Sequence, residues 1–195
     1  MFPAAITRQN QSIDKCDPGF LSGFRIVDRV LSDHECDELL SALSSKLQRR
    51  NRAGARHLMS ITEVEAISKD ERLLHIVRQT LGPEAIPFRA TLFDKSRQAN
   101  WLVTWHQDTA LPLELRIDSK DWGPWSIKAG FHYAHAPAWA LSRILALRIH
   151  LDASTDENGP LRVIPGSHME GVLSDDQILE IVKSREKFDC PVARG

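Results

Sequence analysis

The sequence has no cysteine pairing to build on. Cys16, Cys36 and Cys190 are odd in number, far apart and never in a CxxC spacing. That argues against a disulfide framework and for reduced thiols that serve packing. An excess of one charge is also missing: 25 Lys and Arg stand against 26 Asp and Glu, a net charge of -1, with no long run of either sign. The electrostatic footprint of a nucleic-acid or anionic-membrane binder is therefore absent, and small neutral or mixed-charge ligands remain open. No stretch approaches the roughly 18 apolar residues of a membrane span. The opening MFPAAITRQNQS lacks the basic start and apolar run of a signal peptide. A soluble, cytoplasmic protein is expected, without nucleic-acid or membrane partners. Internal repeats and low-complexity segments are lacking too.

What is present suits one globular domain, since 195 residues with 42% hydrophobic content can bury a sizeable core. Residues 1–18 are polar and run into Asp17-Pro18-Gly19, which reads as a loose arm before a single domain over 19–195. A short strand is expected around Phe24 to Val30. Ser32 and Glu35 then make a capping box, and Cys36, Leu39, Leu40, Leu43 and Leu47 recur at helical spacing. A basic, Gly-containing loop spans Arg49 to Arg56, and a second helical stretch runs from Thr62 to Leu81, ended by Gly82-Pro83.

From there the period changes. Ile86 to Phe93, Trp101 to His106, Ile144 to Leu151 and Leu161 to Ile164 are short runs of β-branched, aromatic and aliphatic residues between turn-forming clusters. Asn158-Gly159 supplies the signal of a tight hairpin. Ser174 and Gln177 cap a late helix reaching toward Lys187, with Ile178, Ile181 and Val182 as its apolar stripe. Helices first and strands afterwards suggest an α+β, mainly β domain whose strands form a barrel or jelly roll.

Chemistry centres on two His-x-Asp triplets, His106-Gln107-Asp108 and His150-Leu151-Asp152. On a strand, residues i and i+2 share a face, so either pair can reach one cation. An imidazole and a carboxylate suit a divalent first-row metal, and a second His completes a triad that leaves positions open on Fe(II). Downstream of the first pair stand His132, His135, His150 and His168; downstream of the second only His168 remains. If Asn158-Gly159 pairs its flanking runs, residue 150 lies opposite about residue 167, which brings His168 near His150 but onto the other face. A cupin-like metal site on His150 and Asp152 stays a weaker alternative.

The stretch LFDKSRQANWLVTWHQD, followed after a variable loop by LALRIHLDASTDENGPLRVIPGSH, resembles the phytanoyl-CoA dioxygenase family of Fe(II)- and 2-oxoglutarate-dependent oxygenases. GFRIVDRVLSDHECDELLSAL resembles the family's N-terminal part, so the likeness runs from about Gly19 onward. It implies a double-stranded β-helix (jelly roll, cupin-like) core with N-terminal helices. It implies hydroxylation of a small-molecule substrate, with Fe(II) as cofactor and 2-oxoglutarate and O2 as co-substrates, the oxoacid leaving as succinate and CO2. Carried over by residue, His106 and Asp108 are metal ligands, whereas the His168 of PGSH closes a turn and, like His150, is not a ligand.

The resemblance also places a third ligand, a His, well downstream of PGSH, and beyond it an Arg for the 2-oxoglutarate carboxylate. Neither occurs in the 195 residues, and Cys190 to Gly195 reads as the approach to that strand. The expectation is a member truncated at its C-terminus and lacking its last strands. A catalytically inactive family member or a binding module is the alternative to an active oxygenase. His132 or His135 could replace the third ligand only by a rearrangement. For 2-oxoglutarate the candidates are Thr91, which can donate a hydroxyl hydrogen, and Arg148, which can offer a two-pronged guanidinium. Arg89 and Lys95 share the period-2 face of Thr91. The loop from Thr109 to Phe131, with Trp122-Gly123-Pro124-Trp125, sits where the family covers its substrate, or is anchored on its own aromatics. Nothing marks a CoA site.

Overall fold

Residues 21–46, 54–94, 103–117 and 119–195 are described by the computed structural model. The expected arm over 1–18, Cys16, Leu47, Lys95 and the start of the Trp101 run lie outside them. Helix α1, Asp33–Lys46, begins where the capping box placed it. The Ser32 backbone N–H donates to Glu35 Oε2 (2.7 Å), and the Glu35 N–H donates back to Ser32 Oγ (3.3 Å). Arg72 reaches the same carboxylate as well as Asp70 and the Val30 carbonyl. Arg72 foremost, then the Ser32 N–H and hydroxyl, pull the Glu35 carboxyl down to about 2.

A two-residue strand β1, Ala55–Arg56, leads into a 3-10 turn, Leu58–Ser60. Two helices follow where the sequence suggested one, α2 (Thr62–Ser68) and α3 (Glu71–Leu81). The break at Lys69-Asp70 has a local cause: the Asp70 side chain accepts from the Arg72 N–H and starts a new helix, as an Asp N-cap does. Leu43, Leu58, Ile61 and Val64 bury between these helices and the β1 region, with Ala55, Ala90, Leu92 and Leu151 packed against them. Each large aliphatic side chain so buried contributes roughly 1.5–3 kcal/mol.

Strand β2, Thr91–Leu92, pairs antiparallel with β1, placing Ala55 opposite Leu92 and Arg56 opposite Thr91. Because Ala55 and Leu92 face the helices, alternation turns Arg56 and Thr91 to the opposite face. The chain then forms β3 (Ala110–Leu113), β4 (Trp125–Lys128) and β5 (Phe131–His135), an antiparallel sheet in the order β3-β5-β4. The β4–β5 turn is Ala129-Gly130, both at positive φ (52° and 83°), the two-residue turn whose twist matches the strands it joins. His57, itself at φ 59°, stacks on Phe131 with ring centroids 3.9 Å apart. Its Nε2 lies 3.2 Å from the hydroxyl of buried Tyr133, so β1 is tied to this sheet.

A short helix α4 (Ala138–Leu141), strand β6 (Leu161–Val163), a 3-10 turn (Ser167–Glu170), helix α5 (Asp175–Ser184) and strand β7 (Phe188–Cys190) complete the order. Helix α5 carries the expected Ser174/Gln177 capping box.

Several expectations are corrected. No strand forms at Phe24 to Val30, at Val103 to His106 or at Ile144 to Leu151, although the last alternates as a strand should. Asn158 does close a turn, its N–H donating to the Thr155 carbonyl and its side-chain amide to the Ala153 carbonyl. Its two arms, however, do not pair with each other. Both lie against residues 188–195: β6 pairs with β7, Ser154 bridges Val192, and the Gly195 N–H donates to the His150 carbonyl. Residues 155–160 are thus a bulged loop in one edge rather than a hairpin tip. Among the described residues the β structure is three separate antiparallel pieces of two, three and two strands. An α+β architecture is what they establish, and the two facing sheets of a jelly roll are not assembled among them.

Candidate metal centre

His106 and Asp108 lie in a segment, 103–108, that has no ladder partner among the described residues. The expectation that they sit on a strand and look into a barrel does not hold, for both are exposed (side chains 52% and 92%). They nevertheless converge. His106 Nε2 and Asp108 Oδ1 are 3.7 Å apart, less than the ~4.2 Å that two bonds of about 2.1 Å to a shared first-row ion can span. The imidazole is oriented for that role, because its Nδ1–H donates to the Thr104 carbonyl at 2.7 Å. A carbonyl can only accept, so Nδ1 carries a proton, and in the neutral tautomer this leaves the Nε2 lone pair on the side of Asp108.

The side chains on either side of Asp108 hold the loop from behind. The Gln107 amide donates to the Gly171 carbonyl (2.9 Å), and its oxygen accepts from the Leu173 N–H (2.8 Å). Thr109, the one buried polar residue among those described, places its hydroxyl 2.7 Å from His135 Nδ1. Its carbonyl accepts from the Ala136 N–H and starts the β3–β5 ladder. Motif reading passed over Gln107 and Thr109, and weighed His135 only as a substitute ligand. The one signal is adjacency to a candidate ligand, but their partners lie 26 to 66 residues away.

No group of three or more His, Cys, Asp and Glu able to hold a metal occurs among the described residues. The fit to iron is therefore that of two donors, with no third His, Cys, Asp or Glu beside them among the described residues. His132 and His135, at odd spacing on β5, point to opposite faces, and neither joins the pair. His150 is half-buried, and burial first and the Arg148 charge second lower its ring pKa. Asp152 is exposed, and His168 sits in the 3-10 turn with its ring against Gly23. These three do not converge, which leaves the second triplet without a site.

Thr91 lies half-buried on β2, facing away from the helices, with Arg89 two residues before it donating to the Ala110 carbonyl at 3.4 Å. Arg148 is exposed on the 144–151 segment, where its charge acts on His150 and Cys190. Among the described residues, neither Thr91 nor Arg148 makes a hydrogen bond or ion pair with the other or with His106 and Asp108. Trp122 packs on the Leu111, Ala136 and Ala140 cluster and meets Trp139 edge-on at 6.3 Å. On that face the Trp-Gly-Pro-Trp loop is held by its own aromatics.

No helix of the described residues is long and apolar enough to cross a membrane. No curated protein and no solved structure matches the chain. The family model for phytanoyl-CoA dioxygenases does match, over residues 21–179. That span takes in α1 with its capping box, the His106–Asp108 pair and the Pro165-Gly166-Ser167-His168 turn, and the chain belongs to the phytanoyl-CoA dioxygenase family.

Proposed function

We propose that the protein is an Fe(II)- and 2-oxoglutarate-dependent oxygenase of a small-molecule substrate, with His106 and Asp108 as two of its metal ligands. The convergence of His106 Nε2 and Asp108 Oδ1 at 3.7 Å, with the imidazole proton parked on Thr104, carries this reading. Family membership supports the reaction class and its co-substrates. Bound iron with 2-oxoglutarate would supply the activation of O2. The chain's own part is to present one neutral imidazole and one carboxylate from a loop fixed on two sides, and to lower the charge of the centre through Asp108. Thr91 and Arg148 are proposed to contact 2-oxoglutarate, Thr91 through its hydroxyl and Arg148 through its guanidinium. The family's jelly roll is the proposed frame, with the β3-β5-β4 sheet as one part of it. The third ligand is proposed to come from outside the described residues.

The test uses Mn(II) as a redox-silent probe. The 195-residue chain, isotopically labelled, is titrated with Mn(II) with and without 2-oxoglutarate, and paramagnetic broadening of the His ring signals is followed. His106 should broaden first, more strongly with 2-oxoglutarate, and the effect should disappear in Asp108→Ala. Broadening centred on His150, or none at His106, would overturn the assignment. Succinate formation from 2-oxoglutarate with Fe(II) in air then reports the activity itself.

A further inference from the structure

The residue between the two proposed ligands has no metal to bind, yet its side chain reaches residues 64 and 66 positions away. Residues 103–108 pair with no strand among the described residues, so the backbone carrying His106 and Asp108 lacks the row of ladder bonds that usually fixes an HxD pair. Among the described residues its own backbone is closed by one short-range bond, from the Thr109 N–H to the Gln107 carbonyl at 3.1 Å. Gln107 takes the place of the missing strand. Its amide N–H donates to Gly171 O and its amide oxygen accepts from Leu173 N–H, the donor-plus-acceptor pattern a neighbouring backbone would offer. The segment it grips is itself held. Gly171 sits at φ 74°, Ser174 caps α5 immediately afterwards, and Arg185 pairs with Glu170 at 2.6 Å.

We infer that Gln107 is a positioning residue for the metal pair: its two-point clamp on 171–173 sets the separation and direction of His106 and Asp108. This rests on the reading of those two as metal ligands. Only a side chain with one donor and one acceptor at the end of two methylenes can make both bonds. Gln107→Leu keeps the size and loses both. Gln107→Glu keeps the acceptor for Leu173 and loses the donor to Gly171.

Three readouts on the full chain decide it: thermal midpoint, amide hydrogen exchange, and the Mn(II) broadening of His106. Outer partners of metal ligands typically change affinity 10–100-fold. Gln107→Leu should therefore weaken Mn(II) binding about 10–100-fold and speed exchange at Leu173 and over 106–109. Protection across β3–β5 and the thermal midpoint should stay near wild type. Gln107→Glu should fall between the two proteins. Mn(II) binding within twofold of wild type in both variants would overturn the inference, as would unchanged exchange over 106–109 in Gln107→Leu. If wild type itself binds no Mn(II), the metal reading fails, and the exchange data alone then decide whether Gln107 positions the loop. Should Gln107→Leu not fold, Gln107→Glu carries the same comparison.

Discussion

Replacing Thr109 by Val leaves shape almost untouched and removes one hydroxyl, which makes it the cleanest probe of how the metal loop is anchored. Thr109 is 8% exposed, and its hydroxyl lies 2.7 Å from His135 Nδ1. A neutral hydrogen bond of this kind contributes about 0.5–1.5 kcal/mol net. His135 is exposed, so water can replace the lost partner at its ring, and Thr109→Val should cost about 0.5–1 kcal/mol. The opposite substitution is not symmetrical. His135→Leu leaves the Thr109 hydroxyl buried with no partner, and an orphaned buried group costs about 1–3 kcal/mol. In the double variant the hydroxyl is gone and that penalty with it, so the two changes should couple by about 1 kcal/mol. Urea unfolding of the four proteins at constant m-value supplies the cycle. Coupling below about 0.3 kcal/mol, or a His135→Leu cost smaller than that of Thr109→Val, would show that the pair does not anchor the loop.

Gly54 stands at φ 107°, and a Cβ there would meet the Leu92 carbonyl oxygen at 1.9 Å. Gly54→Ala should lose about 1–3 kcal/mol from the backbone angle alone, read as a lower urea midpoint, with faster amide exchange at Leu92. The His150 ring has its folded-state pKa pushed below 6.5, by burial first and Arg148 second. The unfolded chain therefore takes up the proton first, so this contribution to stability is complete above about pH 6.5 and drains as pH falls below it. Urea midpoints between pH 7.5 and 5.5 should fall less in His150→Gln than in wild type. Arg148→Ala should shrink the fall without removing it. His57, also lowered by burial and then by Arg56 and Arg89, keeps part of the slope in both variants.

What the sequence determined by itself is whatever chemistry closes within a few residues. The Ser32/Glu35 and Ser174/Gln177 boxes link positions three apart, and both mark their helices to within a residue or so. His106 and Asp108 are two apart, and their convergence needs only the local backbone. The Asn158 turn forms for the same reason. Pairing is another matter, because a strand is completed by hydrogen bonds to a neighbour whose place in the chain is not fixed by local spacing. Ile144 to Leu151 has the alternation of a strand, but among the described residues the C-terminal stretch meets it with the Gly195 N–H at the His150 carbonyl and the Arg194 side chain at the Leu151 carbonyl, and no ladder forms. Phe188–Cys190, rather than the run before the turn, is the partner of β6. The break between α2 and α3 depends on Asp70 winning the Arg72 N–H over continued helix, a contest that apolar spacing does not record. At the candidate metal centre the sequence offers the proposed ligands, His106 and Asp108, and gives no sign of their supports. Gln107 and Thr109 are ordinary polar residues until the fold brings Gly171, Leu173 and His135 to them, since a hydrogen bond depends on distance in space and leaves no periodic trace along the chain.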